Sequence, residues 1–413
     1  MQRSTDSQVQ QSLRSTESNF MNINHLEEAI KVKKYATELR RHFHQFPESS
    51  TKEIKTTRKI REELKLLDIP YEEATEIGTI GLIEGSCPGP VVALRADIDA
   101  LEITEKTGLS YSSKKPGLMH ACGHDLHTAA LLGAAKVLKA HQSKLKGTVK
   151  LIFQPAEEIG KGARIIIKHG NLSDVSAFFG IHNTPELDKG YVSLGSGCVS
   201  AGANSLHITL EGKSGHAAHP DQTIDTITAG ASIIEGLQHF VSRELDPTTP
   251  AVISVCTFHA GTRDNIIASH ADIGGTVRVT CDEARAQVRE AVHRIAEHTA
   301  AAHRVSATVD CEYATPTVYN DEKLYPIALK AAEKIEGVSI VSEPLSMVTE
   351  DFGDYRDIAP AFYARVGVGR GSPLHSDTYD PDEEALPYLT ALFTSFTETY
   401  QELSQEYSYN NCV

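Results

Sequence analysis

The sequence lacks tryptophan and has only four methionines among its 413 residues. It also lacks an apolar run near the ~20 residues of a membrane-spanning helix, so we expect no membrane partner. No basic run stands out, and the net charge of −15 argues against nucleic acid as a partner. Seven widely spaced cysteines form no recognisable disulfide framework. We therefore expect reduced thiols and a cytoplasmic protein.

Apolar side chains are equally scarce at the start of the chain. Residues 1–24 are rich in Ser, Gln and Thr and contain no apolar core of the kind found in secretory signals. We expect a disordered tail there. A cleaved organelle-targeting segment is the alternative, although the acids Asp6 and Glu17 interrupt it.

The remaining sequence is too long for one ordinary core, and its patterns predict two domains. Apolar strands alternate with amphipathic helices in 25–200, which predicts an α/β fold: a mostly parallel sheet flanked by helices. The order changes to β-α-β-β-α-β over 201–311, which is typical of a ferredoxin-like α+β unit. Helix and strand patterns resume over 312–413. We therefore predict a discontinuous catalytic domain, 25–200 with 312–413, into which the small domain is inserted.

A cluster of metal-ligand side chains lies in "MHACGHDLHTA", residues 119–129. The loop that carries Cys122 and His124 follows an apolar strand ending near Asp97 and Asp99. Other candidate ligands also lie at or just beyond the ends of apolar strands: Glu157, Glu158, His182 and His375. Such strand ends line the binding crevice of an open α/β sheet. Cysteine, histidine and carboxylate together favour a divalent transition metal, whereas helix capping is the alternative role for the histidines.

The adjacent acids Glu157 and Glu158 suggest a division of labour. Successive residues point in different directions, so one carboxylate can bind metal while its neighbour moves protons. A metal activates water for hydrolysis and a carboxylate can take the water proton. A solvated acidic loop is the alternative.

Several motifs together resemble one enzyme family. They are "LRRHFHQFPE", "MHACGHD", "QPAEE", "GIHN", "GKSGHAAHP", "GTVR" and "LH" before "SDTYD". The chain resembles, over about residues 26–405, the dinuclear metallohydrolase family of aminoacylase and glutamate carboxypeptidase. The likeness is best with its amidohydrolase branch, which includes hippurate hydrolases and plant indole-acetyl-amino-acid hydrolases.

The resemblance implies two divalent metal ions, manganese or zinc, with cobalt or nickel as alternatives. They would be held by Cys122, His124, Glu158, His182 and His375, with Glu157 as general base and acid. Cys122 would bridge the metals where relatives use aspartate. Asp97 lies where relatives carry a ligand histidine and is assigned no ligand role. Asp99 and Asp125 are expected to orient ligands, although Asp99 could equally be a strand-end turn residue.

The inserted domain supplies three further candidates by resemblance. His216 would donate to the developing oxyanion, Asn265 would contact substrate, and Arg278 would grip a substrate carboxylate. Alternatively they are a surface histidine, a turn residue and a partner of a surface acid. The sequence "NIIA" at 265–268 departs from the family's usual "NVIP", which leaves the shape of that loop open.

These features predict a metal-dependent amidohydrolase that cleaves small-molecule N-acyl amino acids to a carboxylic acid and a free amino acid. A dipeptidase or carboxypeptidase on the same site is the first alternative. A non-catalytic metal-dependent binder is the second, and the presence of Glu157 disfavours it. The inserted domain is expected to act as a lid and to pair two subunits as a homodimer.

Overall fold

The computed structural model describes residue 21 and residues 23–410, with side chains up to residue 404. Most of the segment predicted as a disordered tail, 1–24, lies outside these residues. Met21, within that segment, is buried in a hydrophobic core. Within the described part of the chain, no helix is both long and apolar enough to cross a membrane.

The strands and helices follow in chain order. The strands are β1 (Tyr71–Thr75), β2 (Gly78–Glu84), β3 (Cys87–Asp97), β4 (Lys146–Gln154), β5 (Ala177–Thr184), β6 (Tyr191–Ser193), β7 (Gly197–Ser200), β8 (Gly202–Glu211), β9 (Gly215–His216), β10 (Ala251–Ala260), β11 (Ile266–Ile267), β12 (His270–Val279), β13 (Ser306–Asp310), β14 (Tyr313–Thr315), β15 (Val318–Asn320), β16 (Ser339–Val341) and β17 (Ala361–Gly367). The α-helices are α1 (His25–Gln45), α2 (Ile54–Leu66), α3 (His124–Ala140), α4 (Gly162–His169), α5 (Thr226–Arg243), α6 (Asp282–Ala302), α7 (Tyr325–Glu333) and α8 (Leu386–Asn410). Short 3-10 helices occupy Gln142–Lys144, Pro220–Gln222, Asp351–Asp357 and Glu383–Ala385.

The chain forms two compact units. The first contains the described residues up to Gly197, then Tyr319–Pro344 and the described residues from Asp354 onward. The second contains Cys198–Val318 and Leu345–Gly353. It therefore includes all of 201–311, together with flanking residues and a short later segment.

The first unit is built on an eight-stranded sheet of order β1-β2-β4-β3-β5-β17-β6-β16. Its central strands, β4, β3, β5 and β17, are parallel to their neighbours in that group. The β1–β2 and β2–β4 pairs are antiparallel, as is β17–β6. The predicted mostly parallel sheet is confirmed.

Helices cover both faces of this sheet. On β2, Gly81 lies beneath Leu64 of α2, whereas Gly78 lies beneath Ile166 of α4. Side chains alternate along a strand, so positions three apart face opposite sides. Helices α1, α3 and α8 pack against one another, and α3 and α8 pack on β3. Sequestering both faces explains why the central strands are nearly continuous apolar runs.

Strand register brings the predicted strand-end residues to one edge. Asp97 pairs with Gln154 across β3 and β4. Arg95 pairs with Gly180 across the parallel strands β3 and β5. Asp97 and His182 each come two residues later, so they lie at the same height in the sheet. The loops that follow these strands therefore leave the sheet side by side, which is where a crevice is expected in an open parallel sheet.

The second unit has a five-stranded antiparallel sheet with the order β10-β12-β8-β13, and β14 also pairs with β8. In chain order, the strands of its β-α-β-β-α-β pattern are β8, β10, β12 and β13. Across the sheet they therefore lie in the order second, third, first, fourth. Helices α5 and α6 pack against each other and share an apolar core with the sheet. The ferredoxin-like prediction for this segment is confirmed.

Candidate metal centre

A tight turn at the start of α3 presents Cys122 and His124. The residue between them, Gly123, has φ +86° and stands at the N-terminus of the helix. A Cβ atom there would lie 2.5 Å from Nδ2 of Asn183. Glycine is therefore required twice, for the left-handed backbone and for the space. This explains why the ligand types are packed so closely in the sequence.

Two histidines have their tautomers fixed by backbone acceptors. Nδ1 of His124 donates to the Asp99 carbonyl at 3.0 Å. Nδ1 of His182 donates to the carbonyl of Asn183 at 2.6 Å. Each ring therefore presents the lone pair of Nε2 inward, and Nε2 of His182 lies 3.5 Å from Sγ of Cys122. Such anchoring is the usual support of metal-binding histidines.

The Glu157–Glu158 turn brings two carboxylates to the same place. Oε1 of Glu158 lies 3.8 Å from Nε2 of His124, and Oε2 of Glu157 lies 4.0 Å from that nitrogen. The preceding Ala156 has φ +56°, a conformation that costs a non-glycine residue energy. Such strained positions cluster at functional sites because the surrounding structure holds them.

His375 reaches the site from the segment after β17. Its Nε2 lies 3.6 Å from Oε2 of Glu158. Its backbone N–H donates to the carbonyl of Ala121 at 2.8 Å, and its φ is +62°. This contact ties the late segment to the Cys122 loop and holds a second strained residue in place.

Five clusters of possible donor atoms occur in the described residues, and two of them share Cys122. Cys122, His124 and His182 make the first group, and Cys122, Glu158 and His375 make the second. Within each group the donor atoms lie within 4.8 Å of one another. Thiolate, imidazole and carboxylate are together suited to divalent transition metals. The shared sulfur makes the geometry that of a pair of cation sites.

Buried polar atoms test whether cations fit here. Nε2 of His124 and Oε1 of Glu158 are buried, and neither has a hydrogen-bond partner among the described residues. Unpaired buried polar atoms are costly, and those of native proteins require an explanation. Both atoms point into the donor groups, so divalent cations would satisfy them.

The electrostatics of the protein chain alone agree with this interpretation. Burial and the charge of Glu158 raise the pKa of the Cys122 thiol well above its ordinary value. Burial and the neighbouring Asp99 also raise the pKa of Glu158 to about 7, despite the opposing effect of His124. These acids crowd one another, and a cation between them would favour their ionised forms.

Asp99 supports two candidate ligands at once. Besides its carbonyl, Oδ1 lies 3.3 Å from Nδ1 of His124, and Oδ2 accepts the backbone N–H of Glu158 at 3.1 Å. Ser50 donates its hydroxyl to the same Oδ2 at 2.6 Å. This geometry agrees with the predicted contact between Asp99 and a ligand, whereas its effect on a metal stays a prediction.

Asp97 and His127 form a buried support beneath the donor groups. Nδ1 of His127 donates to Oδ1 of Asp97 at 2.7 Å, and Nε2 accepts the backbone N–H of Asn183 at 2.9 Å. Both ring nitrogens of His127 are thus engaged. Burial raises the pKa of Asp97, but His124, His127 and Arg95 outweigh it and hold the value well below the ordinary range.

Asp125 requires a correction. It was expected to orient His124, but its carboxylate faces away, toward α1. Oδ2 of Asp125 lies 2.9 Å from Nε of Arg40 and 2.9 Å from Nδ1 of His44. The three side chains are fully buried. One residue along a helix is a rotation of about 100°, which is why Asp125 and its neighbour His124 serve different surroundings.

Three predicted residues lie in the second unit. His216 is exposed on β9, opposite Ile266 of β11. The carbonyl of Asn265 accepts the backbone N–H of Ala217 at 3.1 Å. Asn265 and His216 therefore lie near each other, at the paired strands β9 and β11. Arg278 is half-buried on β12, and burial lowers the pKa of its guanidinium. Their roles toward substrate stay predictions.

Two supporting residues were not found from the sequence. Asn183 donates Nδ2 to the carbonyl of Cys122 at 2.7 Å, and its Oδ1 accepts the hydroxyl of buried Tyr379. Both occur within quoted motifs, "GIHN" and "SDTYD", directly beside or near His182 and His375. Position next to a ligand is the only sequence signal they carry.

Comparison with known proteins identifies the family of this chain. Residues 93–399 match the peptidase family M20/M25/M40. This chain belongs to that family. Among relatives of the chain, an N-acetylcysteine deacetylase of Bacillus subtilis is 41% identical over 86% of this chain and 94% of its own length. The IAA-amino acid hydrolase ILR1-like 4 of Arabidopsis thaliana is 39% identical over 88% of this chain and 84% of its own.

A solved structure extends the likeness to three dimensions. It is a Bacillus subtilis protein described as a dinuclear metal-binding peptidase of the M20 family. The two chains superpose with a TM-score of 0.81 at 37% identity, over 90% of this M20 chain and 99% of the other. The resemblance to the dinuclear metallohydrolases is confirmed.

Proposed function

We propose that this M20 protein is a metal-dependent amidohydrolase that cleaves the amide bond of N-acyl amino acids. The products would be a carboxylic acid and a free amino acid. The observation that carries the proposal is the pair of donor groups that share Cys122, with the carboxylate of Glu157 beside them. Relatives named as an N-acetylcysteine deacetylase and an IAA-amino acid hydrolase support this substrate class.

The two donor groups support the proposed set of metal ligands. His124 and His182 would hold one cation, Glu158 and His375 the other, and Cys122 would bridge them. Manganese or zinc is the proposed metal, with cobalt or nickel as alternatives. Divalent cations in such a site polarise the amide carbonyl and lower the pKa of a nearby water.

Glu157 performs the proton transfers in this proposal. Its carboxylate takes a proton from the attacking water as oxygen bonds to the acyl carbon. It then gives that proton to the amide nitrogen as the C–N bond breaks, so the amino acid leaves as a neutral amine. A positioned carboxylate typically contributes about 10²–10⁴ in rate. The backbone N–H of the neighbouring Glu158 donates a hydrogen bond to Asp99. In the proposal the Glu158 side chain binds metal and the Glu157 side chain transfers protons.

The second unit completes the proposal. His216 would stabilise the developing oxyanion, Asn265 would contact the substrate and Arg278 would bind its carboxylate. The family resemblance supports these assignments, as it does a lid role and a homodimer for the inserted domain. A cytoplasmic location belongs to the same proposal.

A substrate panel tests the function. Acetyl, benzoyl, long-chain acyl and indole-acetyl amino acids would be offered to protein loaded separately with manganese, zinc, cobalt or nickel. Release of the free amino acid from at least one class is expected, and it should cease on chelation. Hydrolysis of dipeptides alone would replace the proposal with a peptidase, and binding without turnover would make the protein a metal-dependent binder.

A further inference from the structure

Glu53 is a buried carboxylate that its own helix does not use. It occupies the N-terminal capping position of α2, where a side chain normally accepts a helix N–H group, yet it makes no such bond. Glu48 caps the helix instead: its Oε2 accepts the backbone N–H groups of Lys55 at 2.7 Å and Thr56 at 2.9 Å. A role in helix formation therefore does not account for Glu53.

The side chain of Glu53 is bonded to the strained residue before Glu157. Its Oε1 accepts the backbone N–H of Ala156 at 2.8 Å, and Glu53 is fully buried. The carbonyl of Ala156 accepts the N–H of Gly162 at 3.1 Å. Both polar groups of this residue are therefore anchored, which holds its φ at +56°.

The crowding around this turn leaves little freedom. A Cβ on Gly162 would lie 1.7 Å from the carbonyl oxygen of Pro155, so only glycine fits there. The N–H of Gly160 donates to the carbonyl of Glu157 at 2.7 Å. Without the bond from Glu53, the buried N–H of Ala156 would have to find another acceptor, and the Pro155–Ala156 peptide would rotate and shift the backbone that leads into Glu157.

The two neighbouring carboxylates are thus held by different buried acids. The backbone N–H of Glu158 is bonded to Oδ2 of Asp99 at 3.1 Å, and the N–H of Ala156 to Oε1 of Glu53. The structure assigns Glu53 as a positioning residue that acts through Ala156 on the orientation of Glu157. This inference rests on the proposed function, in which Glu157 transfers protons and Glu158 binds metal.

Variants of Glu53 separate this role from a general one. Glu53→Gln keeps an oxygen acceptor for Ala156, whereas Glu53→Ala removes it. We expect Glu53→Ala to lower kcat about 10- to 100-fold, since small misplacements of a catalytic group have effects of this size. KM and metal content should change little, and Glu53→Gln should restore kcat to within about threefold of the parent. Glu53→Asp, which keeps the charge but shortens the reach, provides the same comparison if Glu53→Ala does not fold.

A double-mutant cycle with Glu157→Gln makes the test specific. If Glu53 acts through Glu157, then Glu53→Ala should lower kcat less than threefold in a Glu157→Gln background. An equal loss in both backgrounds would overturn the inference, as would loss of metal in step with activity. Parent-like kcat for Glu53→Ala would also overturn it. Full activity of the Glu157→Gln variant itself would instead refute the proposed division of labour, and this inference with it.

Glu48 provides a matched control. It is also a buried glutamate next to α2, but its side chain contacts the helix rather than the Glu157 turn. Glu48→Ala should lower the melting temperature while leaving kcat of the folded enzyme within about threefold. A kcat loss equal to that of Glu53→Ala would indicate a general effect of destabilising α2 and would overturn the inference.

Discussion

Asp99 is hydrogen-bonded to the backbone N–H of Glu158 through Oδ2, at 3.1 Å. Its other oxygen and its carbonyl contact His124, so one side chain supports a ligand of each donor group. Asp99→Asn should therefore weaken metal binding, by about 10- to 100-fold for loss of such a support. Metal titration followed by calorimetry measures this, with Asp174→Asn as a surface control. Unchanged affinity would mean that Asp99 only shapes the turn.

The adjacent glutamates should respond differently to the same substitution. Glu157→Gln is expected to keep the fold and metal content but lose about 10²–10⁴ in kcat, because glutamine cannot accept a proton. Glu158→Gln is expected to lower metal occupancy first. Elemental analysis and kcat of the two variants, measured in parallel, decide the matter. The reverse pattern would exchange the two roles.

Cys122 is expected to be the softest ligand and to contact both cations. Chelation should abolish turnover, and a divalent metal should restore it. Cobalt-loaded protein should show a thiolate charge-transfer absorption that Cys122→Ser lacks, together with weaker metal binding. An unchanged spectrum and metal content in this variant would place the sulfur outside the ligand set, and full turnover without metal would end the metal interpretation.

Glu53 gives the folded protein a specific pH dependence. Burial and the charge of Asp99 raise its pKa from 4.5 to about 7, so the folded chain binds this proton more tightly than the unfolded chain. Its contribution to stability is present below pH 4.5 and is lost as the pH rises toward 7, by at most about 1.4 kcal/mol per pH unit. Unfolding of parent and Glu53→Gln across this range should show the parent losing stability relative to the variant. A constant difference would contradict the prediction.

His216 is tested by activity and by subunit mixing. His216→Ala should reduce kcat with metal content intact if the imidazole donates to the oxyanion. Mixing it with Glu157→Gln, after subunit exchange is demonstrated, should restore activity only if a site is shared between chains. Lack of recovery places the histidine in its own chain's site, and full activity of the single variant removes it from the mechanism.

The sequence predicts the sheet well because its signals are local and repeated. Apolar runs such as β3 and β5 are confirmed as central parallel strands, and the acids and histidines at their ends converge. The short strands β1 and β16 at the two sheet edges, and β6 next to β16, were not predicted. Their residues carry little apolar pattern, and their pairing is decided by the sheet edges on which they form.

The supporting contacts of the site were harder to predict. Asp125 was assigned to the wrong neighbour because its partners Arg40 and His44 are distant in sequence and lie on α1. Likewise, nothing in "PESSTKE" predicts that Glu53 reaches Ala156, 103 residues further along the chain. Such contacts depend on how helices pack on the sheet, which residue spacing alone does not determine.

The discontinuity of the first unit has a consequence for biosynthesis. Strand β5 lies between β3, made before the second unit, and β17, made after it. The bond between Tyr379 and Asn183 spans 196 residues, and His375 belongs to the same late segment. During translation the ribosome therefore synthesises Cys122, His124 and His182 long before His375. If His375 is a ligand as proposed, cation loading of the complete pair must wait for synthesis of the segment that carries it, and such long-range closure slows folding.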